Sequence, residues 1–193
     1  VPDGVHIVRA PLTADALRVA FGDAPLVVHL AGVVASPHRG QYGDVNVTGT
    51  RAVAQAARDA GAYLVHVSSL AAAGPAPAAA PRREDDPLAP LTAYGESKRR
   101  GEQVIVDVAG TGDRFAWTIL RPGAVYGPGD RAMLPVFNLA RQWIVPFVGD
   151  PETAFTFVHV RDVVAAIVAA LERQLPRETC FVRSGNGGHA RPP

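Results

Sequence analysis

Tyr94-Gly95-Glu96-Ser97-Lys98 places a phenol and an ammonium four residues apart at the start of a predicted helix. That spacing puts both side chains on one helical face, one turn apart. An ammonium near a phenol stabilises the phenolate and lowers its pKa from about 10 toward working pH. A tyrosine tuned in this way passes a proton to or from a substrate oxygen. Composition sharpens the reading. Among 19 basic residues Lys98 is the only lysine, and every other is Arg. A lysine kept at this one place points to a need for a compact ammonium, which the planar fork of Arg does not replace. The competing reading is a chance spacing on a solvated helix face, and the lone lysine counts against it.

Val65-His66-Val67-Ser68-Ser69 brings two hydroxyls to the end of an apolar run. One of them could hydrogen-bond a substrate carbonyl or hydroxyl; ordinary capping of a strand end is the plain alternative. Other chemistries are set aside on spacing. The histidines His6, His29, His38, His66, His159 and His189 form no H-E-x-x-H or similar ligand pattern, so no metal is expected. Ser69, His159 and Asp162 are triad residue types, but the G-x-S-x-G elbow of a serine hydrolase is missing. Cys180 stands alone, which excludes an internal disulfide and a cysteine-based zinc site. Arg82-Arg83-Glu84-Asp85-Asp86 reads as a solvated charged loop. Trp117 and Trp143 read as packing residues.

These residues need elements to position them. Val5–Val8 reads as a short strand. Thr13 is placed to cap a helix through Phe21, with Asp15 in its first turn. Leu26–Leu30 is a continuous apolar run, as for a strand buried on both faces. A helix is predicted from Tyr42 to Ala60, ended by Gly61, and a buried strand from Ala62 to Val67. Helix Thr92–Val108 carries the tyrosine and lysine. Phe115–Leu120 is the next strand, Met133–Arg141 and Val160–Arg173 are helical, and Thr179–Val182 is a last strand. Ala71–Pro90 is rich in Ala and Pro and reads as a surface loop that could flank the substrate. Strands alternating with helices imply β-α-β units, hence an α/β fold with a parallel sheet and helices on both faces. Ligands in such sheets bind beyond the carboxyl ends of the strands, here after Leu30, Val67 and Leu120.

Length and charge bound the rest. The chain has 193 residues, 48% hydrophobic and 19% charged, which suits one domain with a real core. Net charge is +1 with no basic stripe, so no nucleic-acid partner is expected. The longest apolar run, Val163–Leu171, is far below the ~20 residues of a membrane span. Lone-cysteine usage fits a reducing, cytoplasmic setting.

Five segments in order resemble the extended branch of the short-chain dehydrogenase/reductase superfamily, the NAD(P)-dependent epimerase/dehydratase-like enzymes. Val27–Gly32 is similar to the strand that ends beside the cofactor, and Asn46-Val47-Thr48-Gly49-Thr50 to the N-x-x-G-T helix segment. Ser69 (with Ser68 as fallback), Tyr94 and Lys98 match the catalytic Ser, Tyr and Lys. Arg121–Asp130 resembles the R-P-x-x-V-Y-G-P-G-D loop, and Phe157–Val163 a late V-x-D-V segment. The resemblance implies a doubly wound, Rossmann-type parallel sheet and hydride transfer between a nicotinamide cofactor, NAD or NADP, and a small-molecule substrate. That substrate would be a secondary alcohol, a ketone or a nucleotide-linked sugar. Tyr94 would handle the proton, Lys98 would lower its pKa and meet the ribose, Ser69 would hold the substrate oxygen, and Asn46 would support the active-site backbone. Leu30, Ala31, Gly32, Tyr94, Lys98, Pro122, Gly123, Ala124 and Val125 would contact the cofactor. Leu70-Ala71 follow Ser69 where a dehydratase carries Asp-Glu, which disfavours dehydration; Ala73 replaces the tyrosine of a Y-G pair, which weakens a sugar-epimerase assignment.

The same resemblance implies parts not found here. No Gly-rich turn precedes Val5, and Ala10-Pro11-Leu12 stand where an adenine-contacting Asp is usual. The expectation is therefore one partial nucleotide-binding domain over residues 1–193, truncated at both ends, with 129–160 and 175–193 contributing to an incomplete substrate subdomain. A piece of a longer dehydrogenase is one reading; a natural short form, a catalytically silent scaffold on the same fold, is the other. An open sheet side leaves room for a homodimer.

Overall fold

A computed structural model describes residues 3–38, 40–77, 79–111, 114–131, 133–143 and 156–184. Four strands, β1 (Leu26–His29), β2 (Tyr63–Val67), β3 (Trp117–Pro122) and β6 (Glu178–Val182), form one all-parallel sheet in that order. The pairings align Val28 with Val65, His66 with Ile119, and Leu120 with Cys180. Two short strands, β4 (Ala124–Tyr126) and β5 (Phe157–His159), pair separately beyond the end of β3. The expected α/β class with parallel strands and crossover helices is what forms.

Alternation along β2 and β3 builds two cores. Leu64, Trp117 and Ile119 face one side, against Leu17 of α1 (Ala14–Phe21), Val53 and Ala56 of α3 (Thr50–Asp59), and Val104 and Ile105 of α5 (Ala93–Ala109). Tyr63, Val65 and Leu120 face the other side, against Val163 and Ala170 of α7 (Val160–Arg173). A strand buried on both faces reads as a continuous apolar run, and β3 is buried at all six positions.

The two faces also explain where the sequence reading departs from the structure. Leu26–Leu30 has the apolar run of a doubly buried strand, yet only Val27 and His29 are buried; Leu26 and Val28 are over a third exposed. They lie on the α7 side, and α7 packs on β2, β3 and β6. Val5–Val8 is not a strand: the segment is irregular, with Val5, Ile7 and Val8 exposed. β1 is the sheet edge, and a short segment without a ladder partner does not hold strand geometry alone.

The helix expected over 42–60 starts earlier and is interrupted. It comprises α2 (Gly40–Gly43), a π-helical stretch Asp44–Gly49, and α3. Thr92 caps α5 by accepting from the Gly95 amide at 3.0 Å; Thr13 makes no such side-chain bond at α1. Arg121 and Pro122 are not loop residues but the end of β3, and β4 follows at once. The helix near 133–141 is α6 (Leu134–Ala140). The expected substrate subdomain lies partly on 144–155 and 185–193, outside the described residues, as does His189.

The Ala71–Pro90 segment is tied down. It opens with α4 (Leu70–Ala73), capped by Ser69, whose hydroxyl accepts from the Ala71 amide at 3.2 Å. Gly74 follows at φ +85°, and a Cβ there would stand 2.0 Å from the Ala89 carbonyl oxygen. Only glycine lets the two ends of the loop meet so closely. Nor is the charged run simply solvated: the Glu84 carboxylate accepts from the Phe181 amide of β6 at 3.0 Å. Among the described residues no helix is long and apolar enough to cross a membrane.

Candidate active site

The carboxyl ends of β1, β2 and β3 open onto a cleft of about 680 Å³. Its wall includes Leu30 and Gly32 after β1, Ser68 and Ser69 after β2, Tyr94 and Lys98 on α5, and Pro122–Val125 across the end of β3 and into β4. The fold thus brings these residues together from four separated segments. Ala31 is exposed and outside the wall, and Asn46 is buried behind it.

Asn46 sits in the π-helical stretch, where the altered turn redirects side chains; such insertions are frequent at functional sites. Its Oδ1 accepts from the Val33 amide at 2.8 Å, and its Nδ2 donates to the Val33 carbonyl at 2.9 Å. The carboxamide therefore substitutes for a neighbouring strand and fixes the chain that leaves β1. Nδ2 also donates to Ser97 Oγ at 2.9 Å, and that hydroxyl donates to the Tyr94 carbonyl at 2.7 Å. Gly101 permits the contact, since a Cβ there would lie 2.6 Å from the Asn46 carbonyl oxygen.

Lys98 is buried, and its Nζ donates to the Val67 carbonyl at 2.8 Å. Burial brings its pKa down to about 8, against the opposing pull of the Glu102 carboxylate. Tyr94 behaves differently from the expectation. Burial raises its pKa; Ser69's side-chain hydrogen bond pulls it back, and Tyr42, 6.5 Å away ring to ring, pushes it up further. Lys98 is not among the groups that shift it. The expected lowering of the phenol by the ammonium is therefore not a property of this arrangement. The side chains share a helical face, but the ammonium is turned to the end of β2.

The structure also separates the two serines. Ser69 carries the hydroxyl that hydrogen-bonds Tyr94. Ser68, the fallback, donates its hydroxyl to Glu102 Oε1 at 2.5 Å and is 4% exposed. Glu102 in turn receives Arg121 on both oxygens, Nε at 3.0 Å and Nη2 at 2.8 Å. Both partners of this ion pair are 5% exposed. Arg121 also donates to the Glu84 carbonyl at 3.3 Å and lies 5.7 Å over the Phe181 ring. Glu102 was missed from sequence, although it stands one turn beyond Lys98.

Behind Lys98, His29 and His66 stack with ring centroids 4.9 Å apart. His29 Nε2 meets Thr50 Oγ1 at 3.0 Å, whereas neither ring nitrogen of His66 has a partner. Burial, with the Lys98 charge second, lowers His29 to about 4 and holds His66 well below 6.5. Among the described residues no group of three or more His, Cys, Asp or Glu gathers as metal ligands.

Comparison with known proteins places this cleft in a family. Residues 2–180 match the family described as "NAD dependent epimerase/dehydratase family". The chain is 38% identical over 152 residues to a ceramide reductase of Caulobacter vibrioides, covering 79% of this chain and 42% of that protein. It is 30% identical over 191 residues to the decarboxylating sterol-4-alpha-carboxylate 3-dehydrogenase of Saccharomyces cerevisiae, covering 95% and 55%. The chain spans about half the length of the curated relatives it matches. Among solved structures, MoeE5 in complex with UDP-glucuronic acid and NAD superposes with a TM-score of 0.81 at 27% identity, covering 96% of this chain and 66% of that one. The Bordetella bronchiseptica enzyme WbmG in complex with NAD gives 0.76 at 26%, covering 94% and 58%.

Proposed function

The chain belongs to the NAD-dependent epimerase/dehydratase family, and from that premise we propose that it is the catalytic half of a nicotinamide-linked oxidoreductase or epimerase. On this reading residues 1–193 form one partial nucleotide-binding domain, with 129–160 and 175–193 contributing to an incomplete substrate subdomain. The observation that carries the reading is the convergence of Ser69, Tyr94 and Lys98 on one cleft at the carboxyl end of a parallel sheet. MoeE5 and WbmG are solved with NAD, which makes NAD the cofactor of first choice.

The wall fits such a group at Gly32. A Cβ there would stand 3.3 Å from Asn46 Oδ1 and 3.7 Å from Lys98 Nζ, so glycine keeps the backbone open beside the ammonium. Lys98 Nζ, Gly32, Leu30 and the Pro122–Val125 segment would hold the nicotinamide end, and Ala31 would border it. When bound, the cofactor supplies or takes a hydride at the substrate carbon. Ser69 donates to or accepts from the substrate oxygen and orients it toward the phenol. Tyr94 gives the proton to that oxygen in reduction and takes it in oxidation. Its raised pKa keeps it a phenol at neutral pH, so reduction finds the acid ready. Asn46 keeps Val33 and Tyr94 in place from behind.

Removing the phenolic proton should lower turnover by about 10²–10⁴-fold. Tyr94→Phe is accordingly expected to retain NADH binding, read by fluorescence, and to lose ketone reduction, read by NADH consumption. Lys98→Arg should be severely impaired with charge conserved, because the fork of Arg does not fit the place of a compact ammonium. Near-wild-type rates in either variant would end the assignment. Cofactor binding without any turnover would favour the silent scaffold.

A further inference from the structure

Several polar groups of the described cleft wall are already engaged. Ser68 is turned onto Glu102, Thr92 caps α5, and Lys98 bonds the end of β2. The Thr156 carbonyl accepts from the Ala124 amide at 2.8 Å. Beside the catalytic tyrosine the Ser69 and Tyr94 hydroxyls meet, and Ser69 also accepts from the Ala71 amide, so on the described wall the pair presents one polar point to a substrate. Around them the described wall is hydrocarbon: Val34, Leu70, Ala71, Pro75 and Leu91. Val34 and Leu91 are strongly exposed, 68% and 79%, at its margin. Lys98 is the only charged side chain among the described residues of the wall.

We propose that the substrate is a bulky, predominantly hydrocarbon secondary alcohol or ketone, held by one oxygen, rather than a nucleotide-linked sugar. The inference rests on the oxidoreductase reading above and names its substrate class. A sugar would bring several hydroxyls to a described wall that is mostly hydrocarbon around Tyr94. Each hydroxyl buried without a partner weakens binding by roughly five- to a hundredfold. A hydrocarbon chain incurs no such penalty, and each methylene it buries strengthens binding by about fourfold. Exposed Val34 and Leu91 are then the apolar surface it covers.

Methyl NMR of the 193-residue chain, titrated with heptan-2-one, decan-2-one and UDP-glucose, tests this. The ketones should shift the methyls of Val34, Leu70 and Leu91, and decan-2-one should bind at least eightfold tighter than heptan-2-one. Leu91→Asp, at an exposed position, should weaken decan-2-one at least tenfold, while Val19→Asp on exposed α1 should not. UDP-glucose moving these methyls at lower concentration than the ketones would overturn the proposal. So would affinity that does not rise with chain length, or no ketone shift at millimolar concentration. NADH consumption separates the two readings. Ketone binding with no hydride transfer would sink the oxidoreductase assignment and leave the apolar class; transfer to a UDP-sugar alone would do the reverse.

Discussion

Two polar clusters are buried on either side of Lys98, and they solve burial in opposite ways. The cluster of Ser68, Glu102 and Arg121 is charged, and every charge in it is met: two guanidinium nitrogens on two carboxylate oxygens, with a serine hydroxyl added. The cluster of His29, His66, Thr50 and Asn46 is neutral, and His66 has both nitrogens unpaired. A buried ion is tolerated when its partners are complete; a buried imidazole is tolerated by staying uncharged. Lys98 feels both. Glu102 raises its pKa and burial lowers it, while its own charge depresses the two histidines. The difference teaches that the lysine's titration near 8 is set first by its burial and then by the Glu102 charge on one side.

The charged cluster should be the harder to break. Glu102→Gln leaves Arg121 buried without its counter-ion and should cost about 3–5 kcal/mol, read as a fall in the urea midpoint. Removing the charge as well, in Glu102→Gln/Arg121→Met, should recover a large part of that loss. If the single variant costs under about 1 kcal/mol, the pair is not the closed unit described here.

That pair also marks the limit of what the sequence discloses. Tyr94 and Lys98 were legible because helical periodicity fixes which residues share a face, and the lone lysine singled out the pair. Strands β2 and β3 were legible because both faces are covered by helices, so their runs stay mostly apolar, with His66, Thr118 and Arg121 as buried polar exceptions. β1 carries the same kind of run, but the helix layer on one side stops short of it; coverage is a property of the assembled sheet that a local run does not contain. Glu102 lies four residues beyond Lys98, yet its partner comes from β3, 19 residues later. The direction of the Tyr94 shift was misread for a related reason. Spacing placed the ammonium on the right face, but the Val67 carbonyl, 31 residues upstream, decides where it points.

Within the neutral cluster, Asn46 does the most bonding. Asn46→Ala strips Val33 of partners for both its N–H and its C=O and leaves Ser97 one short. Buried groups left unpaired cost about 1–3 kcal/mol each, and partial access to water at Val33 brings the expected loss to about 2–3 kcal/mol. Hydrogen exchange distinguishes this from general loosening. The Val33 amide should lose protection before the amides of β2 and β3 do, and unchanged protection at Val33 would refute the clamp.

The histidines should give the smallest effect at neutral pH and a growing one in acid. Their folded pKa values lie below the unfolded 6.5, His29 at about 4 and His66 also well below. Above pH 6.5 both states are neutral and the full stability is present. As pH falls through 6.5 the unfolded chain takes up protons that the folded chain refuses. Stability therefore declines, by about 1.4 kcal/mol per pH unit for each histidine, until the folded pKa is reached. By pH 5 His29 alone should cost about 2 kcal/mol. Urea midpoints between pH 7 and 5 read this slope, in a window above the ordinary titration of carboxylates. His66→Phe removes one proton site and an unpaired ring, so it should hold its stability at pH 7 and flatten the decline by about half. A wild-type midpoint that stays level from pH 6.5 to 5 would show that the neutral cluster accepts charge after all, and the contrast with the ion pair would fail at its weaker side.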